Sequence, residues 1–194
     1  MGTEKERLRD DLLIRDFQDV PSEPSAEGTV KERIRDRLLK SYAVYYNVST
    51  MGVREPFFAE AEFHQNDKQY FLVKAAKIAE SDSHEYVYFA DAGVLGVEAL
   101  LKMCEEAWKR GLFLVRPKSG HKNTDVLLFI IADSVPEETE KKIGRIKKYK
   151  SYKYTFWGWS KFRLVAIDTK RGKAFYNREG GILKGIVSDI LSEV

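Results

Sequence analysis

Cysteine is almost absent. Cys104 is the single thiol in 194 residues, so no internal disulfide staples the chain, and a reducing, cytoplasmic location is expected. Histidine is nearly as scarce. His64, His84 and His121 fall in separate turns or strand ends, no pair has metal-ligand spacing, and no zinc site is expected. No apolar run approaches the roughly 18 to 20 residues that span a bilayer, and the opening MGTEKERLRDDLL is charged where a secretory signal would be apolar. Position 6 is Glu6 rather than Ser or Thr, which removes a myristoylation reading of Gly2. Neither a nucleophile elbow nor a P-loop is present, and no cofactor is expected. A large excess of one charge is missing too: 33 Lys and Arg face 30 Asp and Glu. That balance does not by itself point to nucleic acid.

What is there suffices for a folded domain, with 43% hydrophobic and 12% aromatic residues. Residues 1–17 read as a charged amphipathic helix. Residues 18–28, with Pro21, Ser22, Pro24, Ser25 and Gly28, read as a linker. The main domain is expected over 29–194. Thr29 with Glu32 predicts a capping box opening a helix through about Tyr46, with Ile34, Leu38, Leu39, Tyr42 and Tyr45 at helical spacing. Strands are predicted at Pro56 to His64, Gln69 to Ile78 and Glu85 to Ala90, joined by short polar links as a meander. A helix follows from about Leu95, ending near Gly111 where glycine eases a left-handed cap. Cys104 lies mid-helix and reads as core. Asp125 to Ala132 (DVLLFIIA) is a short continuous apolar run, as in a central strand covered on both faces. Ser134 and Glu137 predict a second capping box. Lys161 to Asp168 and Lys173 to Tyr176 predict a hairpin, and a helix from about Gly181 closes the chain. The expected fold is therefore α+β: a mixed, mainly antiparallel sheet (three-strand meander, central strand, C-terminal hairpin) covered by helices on both faces.

This succession of elements resembles the restriction-endonuclease-like (PD-(D/E)xK nuclease) core over about Thr29 to Ala132. The chain also resembles bacterial proteins of unknown function that share an aromatic Gly-Trp segment near the C-terminus. The nuclease resemblance implies an acid on one strand and an acid-x-Lys on the next, the acids holding Mg²⁺ and the lysine steadying the attacking water. Glu60 and Glu62 are the candidates for the first acid and Lys77 for the lysine. Two positions before Lys77 stands Ala75, and two before Lys74 stands Leu72. The second metal ligand is missing, and Glu32 is only a partial substitute. Arg116 to Lys122 forms a basic, glycine-containing loop able to receive a phosphate but without P-loop spacing.

The most informative stretch is Lys141 to Arg163, KKIGRIKKYKSYKYTFWGWSKFR. It holds nine of the 33 Lys and Arg and seven aromatics with no acid, leaving the rest of the chain with 24 Lys and Arg against 30 Asp and Glu. Part of it reads as a cationic helix end favoured by the macrodipole, with Ile143, Ile146 and Tyr149 inward. Phe156, Trp157, Trp159 and Phe162 read as an aromatic strand packed on the core. The outward set, Lys147, Lys148, Lys150, Lys153 and Lys161 with Tyr152 and Tyr154, is the candidate binding surface. Three functions stay open: a non-catalytic module binding nucleic acid or another polyanion, a divergent Mg-dependent nuclease-like enzyme, and a protein that self-associates into a homo-oligomer through its N-terminal helix.

Overall fold

The computed structural model describes residues 28–63, 83–117 and 123–194. Helix α1 (Val30–Ala43) leads into strands β1 (Tyr46–Ser49), β2 (Phe57–Phe63) and β3 (Ser83–Val94). Helix α2 (Val97–Leu114), β4 (Asn123–Ser134), α3 (Glu137–Arg145), β5 (Tyr149–Ser151), β6 (Trp159–Asp168) and β7 (Lys173–Tyr176) follow. A 3₁₀ turn (Glu179–Leu183) and α4 (Lys184–Ser192) complete the domain. Among the described residues, seven strands form one sheet in the order β1-β2-β3-β4-β6-β5, with β7 also on β6. Of the six pairings, only β3–β4 and β4–β6 are parallel. The class is α+β, as expected from the sequence.

Each half of the architecture follows from where apolar side chains point. Odd-numbered residues of β3, β4 and β6 (Val87, Phe89, Leu127, Phe129, Val165, Ile167) meet α1 and α4 on one face. Even-numbered residues (Tyr88, Val126, Leu128, Phe162, Leu164) meet α2 and α3 on the other. Covered twice, β4 buries every residue from Thr124 to Ala132, which is why its sequence is continuously apolar instead of alternating. On the α1 face Phe89 stacks on Phe129 with centroids 5.7 Å apart, and Tyr42 sits edge-on to both, the geometry aromatic quadrupoles favour.

Several local expectations hold. Thr29 caps α1: its hydroxyl accepts from Glu32 N at 3.2 Å, and its own N–H donates to the Glu32 carboxylate at 2.7 Å. Cys104 is buried, and burial pushes its thiol up to about 12.

Others are corrected. The first helix stops at Ala43, and Tyr46–Ser49 forms a strand, with Tyr46 and Val48 buried against the α1 face. Strand β2 pairs directly with β3, so the meander is β1-β2-β3; Gln69 to Ile78 lies outside the described residues, as do residues 1–27. Gly111 is not a cap. Helix α2 runs through it, and since a Cβ there would lie 2.4 Å from Val126 Cγ2, glycine is what lets the helix approach β4. Ser134 is the last residue of β4, and α3 begins beyond Pro136 with no side-chain cap. Among the described residues, no helix is long and apolar enough to cross a membrane.

Candidate functional site

The basic-aromatic stretch folds as a hairpin. Helix α3 ends at Arg145, so its macrodipole acts on Lys142 and Arg145 in the last turn. Lys147 and Lys148 lie beyond it in the link to β5, Lys150 on β5 and Lys153 in the turn that follows. In that turn Lys153, Tyr154 and Thr155 stand consecutively at φ 47°, 54° and 74°, with Gly158 at 77°. Each L-residue held in this region costs about 1–2 kcal/mol, and β-branched Thr155 is the worst suited of the three. Backbone hydrogen bonds hold the turn: Tyr152 N to Gly158 O at 2.9 Å, Gly158 N to Thr155 O at 3.0 Å, Phe156 N to Lys153 O at 3.1 Å and Trp157 N to Tyr152 O at 3.2 Å. Beneath them the Tyr152 hydroxyl shares a hydrogen bond of 2.9 Å with Ser160, and partial burial raises its pKa.

The consequence is a tip whose rings face outward. Tyr154 is 90% and Phe156 80% exposed. This corrects the packed-strand expectation: Phe162 alone of the four is core, edge-on to Trp108 at 6.0 Å, while Trp157 and Trp159 are half-buried. Tyr149, expected inward, is exposed as well.

The predicted cations divide into two groups. Lys147, Lys150 and Lys153 are exposed; Lys150 lies 5.6 Å from the Tyr152 ring centroid and Lys153 4.3 Å from that of Trp157. Lys148 and Lys161 are engaged with carboxylates. Lys148 reaches Glu105 at 2.5 Å and holds its carboxyl below the usual range, and Lys161 reaches Glu179 at 3.4 Å.

Next to the hairpin, on the α1 face, lies a charge cluster that sequence reasoning missed. Glu85 on β3 and Asp125 on β4 are register partners, as are Asp125 and Lys161. Arg163, one inward-facing position further along β6, reaches back to Asp125 Oδ2 at 2.7 Å and Glu85 Oε2 at 3.6 Å. All three side chains keep under 15% of their accessibility. Burial pushes the Glu85 carboxyl up to about 7, against the pull of Arg163 and a hydrogen bond from Tyr46, with Asp125 adding to the rise. Asp125 is raised by burial as well, and Arg163 opposes that rise. The missed signal was Arg163 itself. Alternation in KFRLVAID puts it on the side of Val165 and Ile167, and a charge buried there demands partners.

The nuclease-like residues do not join this cluster. Ala59 and Ala61 point to the α1 face, which turns Glu60 and Glu62 to the opposite side of the sheet, near Tyr88. Glu60 is bound by Arg110 at 3.3 Å, the same guanidinium that ties Glu106 and the carbonyls of Arg54 and Glu55. Glu32 is occupied in the α1 cap. Lys77 and the histidines 64 and 121 lie outside the described residues, as does most of the 116–122 loop. His84 lies on β3 beside Tyr86. Among the described residues, no group of three or more His, Cys, Asp or Glu is placed to hold a metal ion.

These features define a mixed-sheet α+β domain with a protruding basic-aromatic hairpin. The chain belongs to the family described as Domain of unknown function (DUF8052), whose model matches residues 28–188 and so takes in the sheet and the hairpin. No curated protein and no solved structure matches the chain, and the likeness to a restriction-endonuclease-like core is not shown.

Proposed function

We propose that this protein is a non-catalytic binding module for an anionic polymer, nucleic acid first, and that the outward side of the β5–β6 hairpin makes the contact. The observation that carries the reading is the turn at Lys153 to Thr155. Three consecutive left-handed residues are maintained at a cost a tight glycine turn would avoid. What they display is Tyr154 and Phe156, among cations that neither the α3 dipole nor, among the described residues, a carboxylate accounts for. Backbone strain held in place by its surroundings concentrates at functional sites. Lys147, Lys150 and Lys153 carry the charge; Lys148 and Lys161, already paired, stand at the margin. A cytoplasmic location belongs to the same proposal and is supported by the single buried thiol.

Fluorescence anisotropy of the full chain with labelled nucleic acid and with heparin, at two salt concentrations, tests it. Binding at low salt that weakens steeply as salt rises is expected. Replacing Lys147, Lys150 and Lys153 together by Ala should flatten the logarithmic salt slope by about 2. No binding to either polyanion at low salt would overturn the proposal.

A further inference from the structure

The hairpin also carries information on which anionic polymer it takes. We infer that the ligand is a single-stranded nucleic acid, whose bases stack on Tyr154 and Phe156 while Lys147, Lys150 and Lys153 meet its phosphates. This rests on the binding reading above and deepens it.

The four aromatics of the turn are not equivalent. Tyr152 is tied to Ser160 and faces Lys150, and the Trp157 ring is covered by Lys153. Tyr154 and Phe156 make no ring–ring or cation–ring contact among the described residues. They are two residues apart on a turn closed by four backbone hydrogen bonds, so they are held out before any ligand arrives. Ordering a ligand on such a platform costs less than ordering platform and ligand together.

Phosphate neutralisation alone needs lysines and has no use for two displayed rings. A duplex keeps its base faces stacked on one another and offers these rings only edges, whereas every base of a single strand has a free π-face. A lipid surface is the less fitting partner. The exposed aliphatic residues that would anchor in acyl chains, Val30, Val44, Met51, Val94, Leu101 and Ile182, lie on other elements, and the tip from Tyr152 to Gly158 holds no aliphatic hydrophobic residue. Three lysines within a few residues match the phosphates of a short stretch of strand. A logarithmic salt slope of about −2 is then expected, since a single strand contributes about −0.7 per phosphate.

The experiment is an anisotropy titration of the full chain with single-stranded DNA and RNA of about twelve nucleotides, the matching duplex, an abasic strand of equal length and heparin. Cosedimentation with phosphatidylserine–phosphatidylcholine vesicles runs alongside. The Tyr154→Ala/Phe156→Ala double variant changes only exposed rings, and circular dichroism checks that it folds. The base-bearing single strand should bind at least about tenfold more tightly than the duplex or the abasic strand. The double variant should lose that advantage while its affinity for the abasic strand and heparin stays unchanged. If the abasic strand and heparin bind as tightly as the base-bearing strand and the double variant binds all of them normally, the stacking inference fails and the polyanion reading stands. Equal or tighter binding of the duplex likewise overturns the inference alone. If only vesicles bind, and the double variant abolishes that, the partner is a membrane surface and both readings fall. No binding to any probe also removes both.

Discussion

The Glu85–Arg163–Asp125 cluster makes stability depend on pH in a direction opposite to that of most carboxylate-containing ion pairs. Two carboxylates share one guanidinium beneath α1, while Lys161 and Glu179 cancel each other at the rim. Burial, which outweighs the pull of Arg163 and is reinforced by the Asp125 charge, pushes the Glu85 carboxyl up to about 7. The unfolded chain gives up this carboxyl proton near 4.5. Between these values the native state binds more protons than the unfolded state, so stability falls as pH rises through the window and the loss is complete above it. The gap corresponds to about 3 kcal/mol. Asp125, also raised, adds a smaller contribution of the same sign.

Replacing Glu85 by Gln preserves shape and a hydrogen-bonding group while removing the titration. Urea unfolding followed by tryptophan fluorescence at pH 5, 6, 7 and 8 should show the parent losing about 3 kcal/mol across the series, and Glu85→Gln losing far less. At pH 8 the variant should be the more stable of the two. Comparing the two proteins cancels the titrating groups that do not interact with Glu85, including Asp168, Glu32 and Glu105, whose lowered pKa values act below this window. Arg163→Met is the complementary perturbation. It removes the guanidinium the two carboxylates share, leaving only Lys161 acting on Asp125, and should cost about 3–5 kcal/mol at pH 8, part of it recovered at pH 5. Identical pH profiles for the parent and Glu85→Gln would refute the argument.

Three further predictions concern packing and backbone. Gly111→Ala forces a Cβ against Val126 and should destabilise by about 1–3 kcal/mol; combining it with Val126→Ala should recover part of the loss, a coupling that a double-mutant cycle measures. Asn177 is buried and spends its whole amide on the fold: Oδ1 accepts from Leu164 N and Gly180 N, and Nδ2 donates to the carbonyls of Ile146 and Phe162. Asn177→Ala should cost at least about 2–3 kcal/mol in chemical denaturation, because these partners lose their bonds where water does not reach. Thr155→Gly relieves a left-handed β-branched residue at an exposed position. It should raise the melting temperature slightly, by up to about 1 kcal/mol of stability; a drop would mean the turn is not strained.

Much of the α+β frame was legible because it rests on local rules. The Thr29–Glu32 box marks the start of α1, the spacing of Ile34, Leu38 and Tyr42 its buried side, and DVLLFIIA its strand between two layers. Strand β1 was not legible: four residues behind a helix carry too short a pattern, and only pairing with β2 extends them. Gly111 looked like a cap because glycine serves both helix ends and close approaches, and the choice depends on Val126, which is distant in sequence. The same distance hid the charge cluster. Glu85, Asp125 and Arg163 each read as an ordinary strand residue until the register of β3, β4 and β6 sets them together.

By itself, then, the sequence determined composition, most element types and the concentration of cations and rings between Lys141 and Arg163, all set by short-range propensity and periodicity. Only the tertiary structure decided which of those cations and rings face outward. The pairings of Lys148 with Glu105 and of Lys161 with Glu179 are outcomes of long-range packing, and the pairing of β5 with β6 closes the turn that carries three left-handed residues. They withdraw two lysines from the surface proposed for binding and push Tyr154 and Phe156 into solvent, because burial and pairing depend on neighbours that come together only when the sheet closes.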